Sequence, residues 1–224
     1  MKKDTLTTIS ITSFFWIVVA IGLYPKIGHF FSTSSPHLQL IELSKEEVEF
    51  YKSKIVTVTG GKYIGSGCEI EPGYYLTALH IISHAILDGD PIQVNGVPAQ
   101  VVIKGRTEED YAILTTDETP DLAKAITPVY EFSEGEHFIV TGNPGEQVKR
   151  VQSGKITNIK VLSYDRQHIK PSARKVFAEY IEKGISGGCV YPKGWVAPVG
   201  VATMSENDNE KKRGEISLTR KRID

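Results

Sequence analysis

The chain has 224 residues, with 26 Lys and Arg against 27 Asp and Glu and a formal net charge of −1. That balance leaves no basic footprint, so nucleic-acid binding is not expected. Apolar and charged fractions of 40% and 24% are ordinary for a globular protein, and the length suits one large all-β domain or two small lobes sharing a core.

Lys2 and Lys3 precede an uncharged stretch over 5–25, centred on the apolar run 14–21. A spanning helix needs roughly 20 mostly apolar residues, so 1–25 reads as an N-terminal hydrophobic helix and an uncleaved membrane anchor. The leading lysines stay inside, which makes this a single-pass membrane protein with the remaining domain outside the cytoplasm. Ala20-Ile21-Gly22 also suits signal cleavage, and on that alternative the protein is secreted. Residues 26–54 read as a linker and a short helix. Ser44 with Glu47 gives a capping-box start for a helix over 45–54.

From Ile55 the period changes to two: Ile55-Val56-Thr57-Val58-Thr59 runs to a Gly60-Gly61 turn. Similar runs follow at 63–64, 68–70, 74–79, 92–94, 99–103, 111–115, 138–141, 149–152, 155–162, 189–191 and 196–204. Turn residues separate them, among them Asn95-Gly96, Asn143-Pro144-Gly145 and Pro192-Lys193-Gly194. Many short strands with frequent turns predict an all-β sandwich or barrels over 55–205, not a βαβ sheet. A join between two β halves falls at 119–128, bracketed by Pro120 and Pro128. Residues 206–224 read as a charged C-terminal segment, a solvated face in which Lys211, Lys212, Arg213, Arg220, Lys221 and Arg222 are interleaved with acids.

Two cysteines, Cys68 and Cys189, cannot build a multi-bridge scaffold, and no Cys/His cluster has zinc spacing. Two readings stand: one disulfide in an oxidising compartment, or two buried free thiols.

The stretch Gly184-Ile185-Ser186-Gly187-Gly188-Cys189 carries the chemistry. A serine between glycines lets backbone approach a substrate and leaves N–H groups free to face an oxyanion. Upstream, Leu76-Thr77-Ala78-Leu79-His80 closes an apolar run, and Asp110 precedes Tyr111-Ala112-Ile113-Leu114. His, Asp and Ser in that order are the parts of a nucleophilic triad. Ser186 is the nucleophile, His80 its base, and Asp110 the carboxylate that orients the imidazole. The Gly184 and Ser186 N–H groups form the oxyanion hole. Each residue alone has a bland reading: a strand-end His, a surface carboxylate, a turn serine. Their order beside apolar strands makes coincidence a poor account.

His84, four residues after His80, has the spacing of two helical zinc ligands, but Ile81 stands where the metalloprotease pattern wants Glu. No metal is expected, and His84 is placed on the exposed side of a short turn. Gly184-x-Ser186-x-Gly188 also matches the α/β-hydrolase nucleophile elbow, yet that fold needs a later catalytic His, and the last histidine here is His168. Gly60-Gly61-Lys62 lacks the spacing of a phosphate loop.

Gly65-Ser66-Gly67-Cys68 through Thr77-Ala78-Leu79-His80, Asp110-Tyr111-Ala112-Ile113-Leu114, Gly142-Asn143-Pro144-Gly145, Gly154-Lys155-Ile156 and Gly184-Ile185-Ser186-Gly187-Gly188 together resemble the chymotrypsin/trypsin-like serine peptidases. The nearest likeness is to the bacterial HtrA-like branch, here without a PDZ domain, since no PDZ-like segment follows Met204. The resemblance covers 55–204 and implies two six-stranded antiparallel β-barrels with the active site in the cleft between them. It also implies that 199–205 pairs with substrate backbone, which makes Thr203, Met204 and Ser205 substrate-binding residues. Residues just before Ser186, Tyr180 and Ile181 among them, border the specificity pocket. Ile185 replaces the aspartate that binds a freed N-terminus in animal trypsins, so activation by propeptide cleavage is not implied. The resemblance brings the segments of Cys68 and Cys189 close enough for a bridge.

The expected protein is a serine endopeptidase that cuts polypeptides through an acyl-enzyme on Ser186, without cofactor. The alternatives are a catalytically silent protease-like binding module, and a self-processing peptidase that cuts its own linker near 32–36.

Overall fold

A computed structural model of the chain describes residues 42–105, 109–144, 148–165, 170–178, 181–208 and 211–219. The apolar stretch at 1–25, read above as an anchor, lies outside the described residues. Among the described residues no helix is long and apolar enough to cross a membrane.

Helix α1 (Lys45–Lys54) opens on Ser44, whose Oγ accepts from the Glu47 N–H at 3.1 Å while the Glu47 carboxylate accepts from the Ser44 N–H at 2.8 Å. Two orphan amides are satisfied reciprocally. The chain continues through β1 (Ile55–Gly60), β2 (Tyr63–Glu71), β3 (Tyr74–Thr77), helix α2 (Leu79–Asp88), β4 (Ile92–Val94), β5 (Val97–Pro98), β6 (Gln100–Lys104) and β7 (Ala112–Thr115). These strands form one antiparallel sheet in the order β5-β4-β1-β2-β3-β7-β6. The two edge strands, β5 and β6, are separated in the chain by Ala99 alone. With consecutive Cα atoms about 3.8 Å apart, the sheet has to curl until its edges meet. This half was expected as a closed six-stranded barrel. It is instead a seven-stranded sheet without a ladder across its edges, because the short β4–β5 hairpin adds a strand outside β1.

A 3₁₀ turn at Leu122–Lys124 lies in the connection to the second half. There β8 (His137–Gly142), β9 (Arg150–Asp165), β10 (Lys170–Ala178), β11 (Cys189–Pro192), β12 (Gly200–Asp208) and β13 (Lys211–Leu218) close a barrel in the order β10-β13-β12-β11-β8-β9. The stretch expected as a solvated C-terminal segment thus contains a barrel strand: β13 pairs with β12 from Gly200↔Leu218 to Asp208↔Lys211, and with β10 from Lys175↔Ser217 to Ala178↔Gly214. Gly214 and Ile216 are buried while Glu215 between them is only half-buried, so the strand alternates between the core and a wetter side.

The wall between the halves explains the unbroken apolar runs. On β11, Cys189 and Tyr191 join the core of the first sheet, and Val190 joins the core of the barrel. On β8, Ile139 faces the first core while Phe138 and Val140 face the second. Successive side chains of a strand point to opposite faces, so a strand buried on both faces needs apolar residues at every position. Helix α1 spans the same join. Tyr51 packs its ring on Tyr191 at 4.9 Å and donates its hydroxyl hydrogen to the Trp195 carbonyl at 2.9 Å.

Candidate active site

His80 stands in the first turn of α2, just after β3 ends at Thr77. This run was expected as strand to residue 79 followed by a short turn; it is a ten-residue helix. Ile81, Ile82 and Ala85 are its buried stripe, and Gly89 closes it in the left-handed region. Ala78 at the cap position has no side-chain acceptor to offer. Asp110 supplies one from outside the helix. Its Oδ1 accepts from the His80 backbone N–H at 2.8 Å, and its Oδ2 lies 2.7 Å from His80 Nδ1. One carboxylate therefore caps the helix and fixes the imidazole, with a separate oxygen for each task. Facing a carboxylate, Nδ1 carries a hydrogen, and in the neutral ring this leaves Nε2 as an acceptor. The His80 side chain is 44% exposed and that of Asp110 28%.

Ser186 Oγ lies 2.8 Å from His80 Nε2. The Thr203 carbonyl, at 3.2 Å, is the alternative acceptor for the same hydroxyl hydrogen. The β12–β13 register shifts between Ala202 and Met204, and the bulge takes Thr203 out of step with the ladder. The sequence-predicted residues Ser186, His80 and Asp110 thus meet in one hydrogen-bonded chain that draws on both halves of the molecule.

One positioning residue, Ser66, went unassigned in the sequence although its motif was noted. Ser66, buried on β2, donates its N–H to the Ser186 carbonyl at 2.9 Å. Its Oγ accepts from the Asn143 N–H at 2.7 Å, and its carbonyl accepts from Thr77 Oγ1 at 2.7 Å. One residue thereby ties the Ser186 backbone to β3 and to the loop after β8. A buried serine between glycines reads as a turn in sequence, so only the tertiary contacts reveal this work.

The turn before Ser186 is closed by the Ile185 N–H donating to the Glu182 carbonyl at 3.3 Å, with Gly184 third in the turn at φ +92°. Positive φ at that position is the signature of a type II turn, which turns its central peptide over relative to type I. Among the described residues no acceptor takes the N–H of Gly184 or of Ser186. Ile185 is fully buried in the barrel core, its Cγ2 against Gly142. Gly187 has φ +82°, and a Cβ there would run into the Ser66 carbonyl oxygen and the Ile81 side chain.

The remaining expected residues divide. Thr203 meets Ser186 Oγ through its carbonyl. Ile181, expected beside a substrate pocket, is 2% exposed and packs into the barrel core over Gly214, so its side chain offers a substrate no surface. Tyr180 lies outside the described residues. Met204 and Ser205 lie on β12 opposite Glu215 and Gly214, and their side chains are not among those described. The sulfurs of Cys68 and Cys189 are bonded, and both residues are fully buried. His84 is exposed one turn beyond His80 and stacks on Tyr63 with ring centroids 4.9 Å apart.

Solved structures share this architecture. The Rv3671c protease of M. tuberculosis in its active form aligns with a TM-score of 0.55 at 17% identity, over 85% of this chain and 90% of that one. Its Ser343Ala mutant in the inactive form aligns at 0.56 and 19% identity, over 75% and 82%. The fold is that of the trypsin-like serine proteases. The HtrA-type protease AlgW, solved with a tripeptide, aligns at 0.54 and 20% identity over 76% of this chain and 59% of that chain. No protein-family model matches the sequence, and no curated protein matches it.

Proposed function

We infer that this trypsin-like domain is a serine endopeptidase acting on polypeptides. The observation that carries the reading is the continuous Ser186–His80–Asp110 chain, at 2.8 and 2.7 Å. Ser186 Oγ attacks the scissile carbonyl carbon as its proton passes to His80 Nε2. Asp110 stabilises the imidazolium through Nδ1–H. The carbonyl oxygen becomes an oxyanion and takes hydrogen bonds from the Gly184 and Ser186 N–H groups, an interaction worth roughly 3–4 kcal/mol per donor in such sites. Collapse breaks the C–N bond, and the leaving amine takes the proton from His80. Water, deprotonated by the same imidazole, then releases the acyl group from Ser186. The strand through Thr203, Met204 and Ser205 runs beside the nucleophile, where substrate backbone can add along it. The apolar stretch at 1–25 adds the proposal that the domain is held at a membrane on its extracytoplasmic side.

The test is active-site labelling with a fluorophosphonate, paired with peptide cleavage. Wild type is expected to label and cleave, and Ser186→Ala to do neither. Cleavage that persists in Ser186→Ala, or a wild type inert in both assays, refutes the assignment. The inert result would favour a silent binding module.

A further inference from the structure

We propose that Gln152 is a positioning residue for the oxyanion hole: through the Glu182 N–H it fixes the turn that aims the Gly184 N–H at the reacting carbonyl. The role rests on the endopeptidase reading and deepens it, adding to that site a residue on the far wall of the barrel.

Gln152 breaks the pattern of its strand. On β9 the positions that share the barrel's inner face are Gln152, Gly154 and Ile156, alternating with period two. Ile156 is buried in the barrel core, and a Cβ on Gly154 would meet the Phe138 ring. Gln152 stands opposite Val140, itself a residue of that core. Val151, on the other face of the strand, packs against the core of the first sheet. The alternation calls for an apolar side chain at 152, and an amide in its place needs a partner. Only the amide oxygen can accept from an N–H. Oε1 of Gln152 takes the backbone N–H of Glu182 at 3.1 Å, 30 positions along the chain. A residue that departs from the local rule and is then satisfied by one specific partner points to a site.

Glu182 opens the four-residue turn that closes on Ile185, and little holds that turn from within. Its closing hydrogen bond, at 3.3 Å, is longer than an ordinary N–H···O contact. Lys183 and Gly184 at its centre are exposed, and glycine restrains its own backbone less than any other residue. The direction of the Gly184 N–H is therefore set by the two ends of the turn. Burial of Ile185 fixes the exit, and the Gln152 amide fixes the entry. The Ser186 N–H, the second proposed donor, follows directly on buried Ile185, and its residue is tied at the carbonyl by Ser66. Losing the Gln152 amide should misdirect one donor and spare the other. The loss should be felt where negative charge has developed on the substrate oxygen, and not where uncharged peptide is merely bound.

The test uses Gln152→Leu, which fills similar space without an acceptor, and Gln152→Asn, which keeps the amide but shortens its reach by one methylene. Steady-state peptide cleavage is measured beside inhibition by a peptide aldehyde and by the matching peptide alcohol. With the aldehyde, Ser186 Oγ bonds to the carbonyl carbon, the hydroxyl proton passes to His80, and the carbonyl oxygen becomes an anion at the donors. The alcohol binds without forming a bond. Both variants are expected to lose about ten- to a hundredfold in kcat with KM held within about twofold. Aldehyde affinity should fall by a similar factor, and alcohol affinity should stay within about twofold. If Gln152→Leu does not fold, Gln152→Asn carries the test. A merely structural role would lower the thermal midpoint and leave the folded enzyme's kcat and its aldehyde-to-alcohol affinity ratio unchanged. That result overturns the proposal while the endopeptidase reading stands. A wild type that neither cleaves peptide nor labels with a fluorophosphonate removes both.

Discussion

Ser66 and Ser186 are joined by a backbone hydrogen bond of 2.9 Å, so the Ser186 carbonyl is held by a strand of the opposite half of the molecule. The Ser186 hydroxyl belongs to the barrel side and the His80 imidazole to the curled-sheet side. Ser66 helps to fix their separation. Losing its hydroxyl would leave the Asn143 N–H without its 2.7 Å partner. An unmet buried donor costs about 1–3 kcal/mol. Ser66→Ala is expected to lower the thermal midpoint by several degrees and to reduce kcat more than it raises KM. Calorimetry and steady-state peptide kinetics on the same preparation check both.

Asp110→Asn keeps an oxygen for the His80 amide but gives the imidazole a neutral partner that can enforce the wrong tautomer. In comparable triads the loss is about 10⁴-fold in kcat. A reduction of that order in peptide cleavage, with thermal stability changed by much less than for a core substitution, is expected. A fall below tenfold would mean that Asp110 serves mainly as the cap of α2.

Ile185 anchors the turn that carries Gly184 by apolar burial against Gly142, where no charge pair is needed. Ile185→Ala should cost about 2–5 kcal/mol through the cavity it leaves. Part of the effect should show as lost turnover, because the turn positions the proposed oxyanion donors. Ile185→Val, which removes one methylene, should cost about 0.5–1.5 kcal/mol and keep most activity. Urea unfolding curves separate the two.

The Cys68–Cys189 bond closes a loop of 121 residues across the two halves. In the chain-entropy account a loop of that size is worth close to 5 kcal/mol. Native protein should have a mass two hydrogens below that of the dithiol form, and reduction should depress its thermal midpoint strongly. Two titratable thiols in the native protein would end this expectation.

The candidate site was legible because its signals are local. A triad needs particular residue types, and His80, Asp110 and Ser186 each sit beside an apolar strand that period-two reading can find. The barrel's closing strands were harder. β10 and β13 carry Lys170, Arg174 and Lys175, and Lys211, Lys212 and Arg213, whose charges mask an alternation visible only at Val176 and Ala178 or Gly214 and Ile216. The 16-residue β9 was divided in two at Ser153-Gly154, where polar residues imitate a turn but continue the ladder with β8. Helix α2 was read as the end of a strand, to residue 79, and a short turn, because Ala78 offers no capping side chain to mark its start. Its buried stripe of Ile81, Ile82 and Ala85 packs it as a helix. Ser66 had no sequence signal of its role, since its partners Thr77, Asn143 and Ser186 lie 11 to 120 positions away.

The strand β11 has a consequence for how this molecule comes apart. Tyr191 and Cys189 are committed to one core and Val190, between them, to the other. Withdrawing this strand from either lobe strips apolar surface from both at once, and helix α1 adds a second clasp over the same seam. The lobes therefore have no route to melt one after the other: heat should take them in a single cooperative step, with no half-folded species that retains an intact barrel.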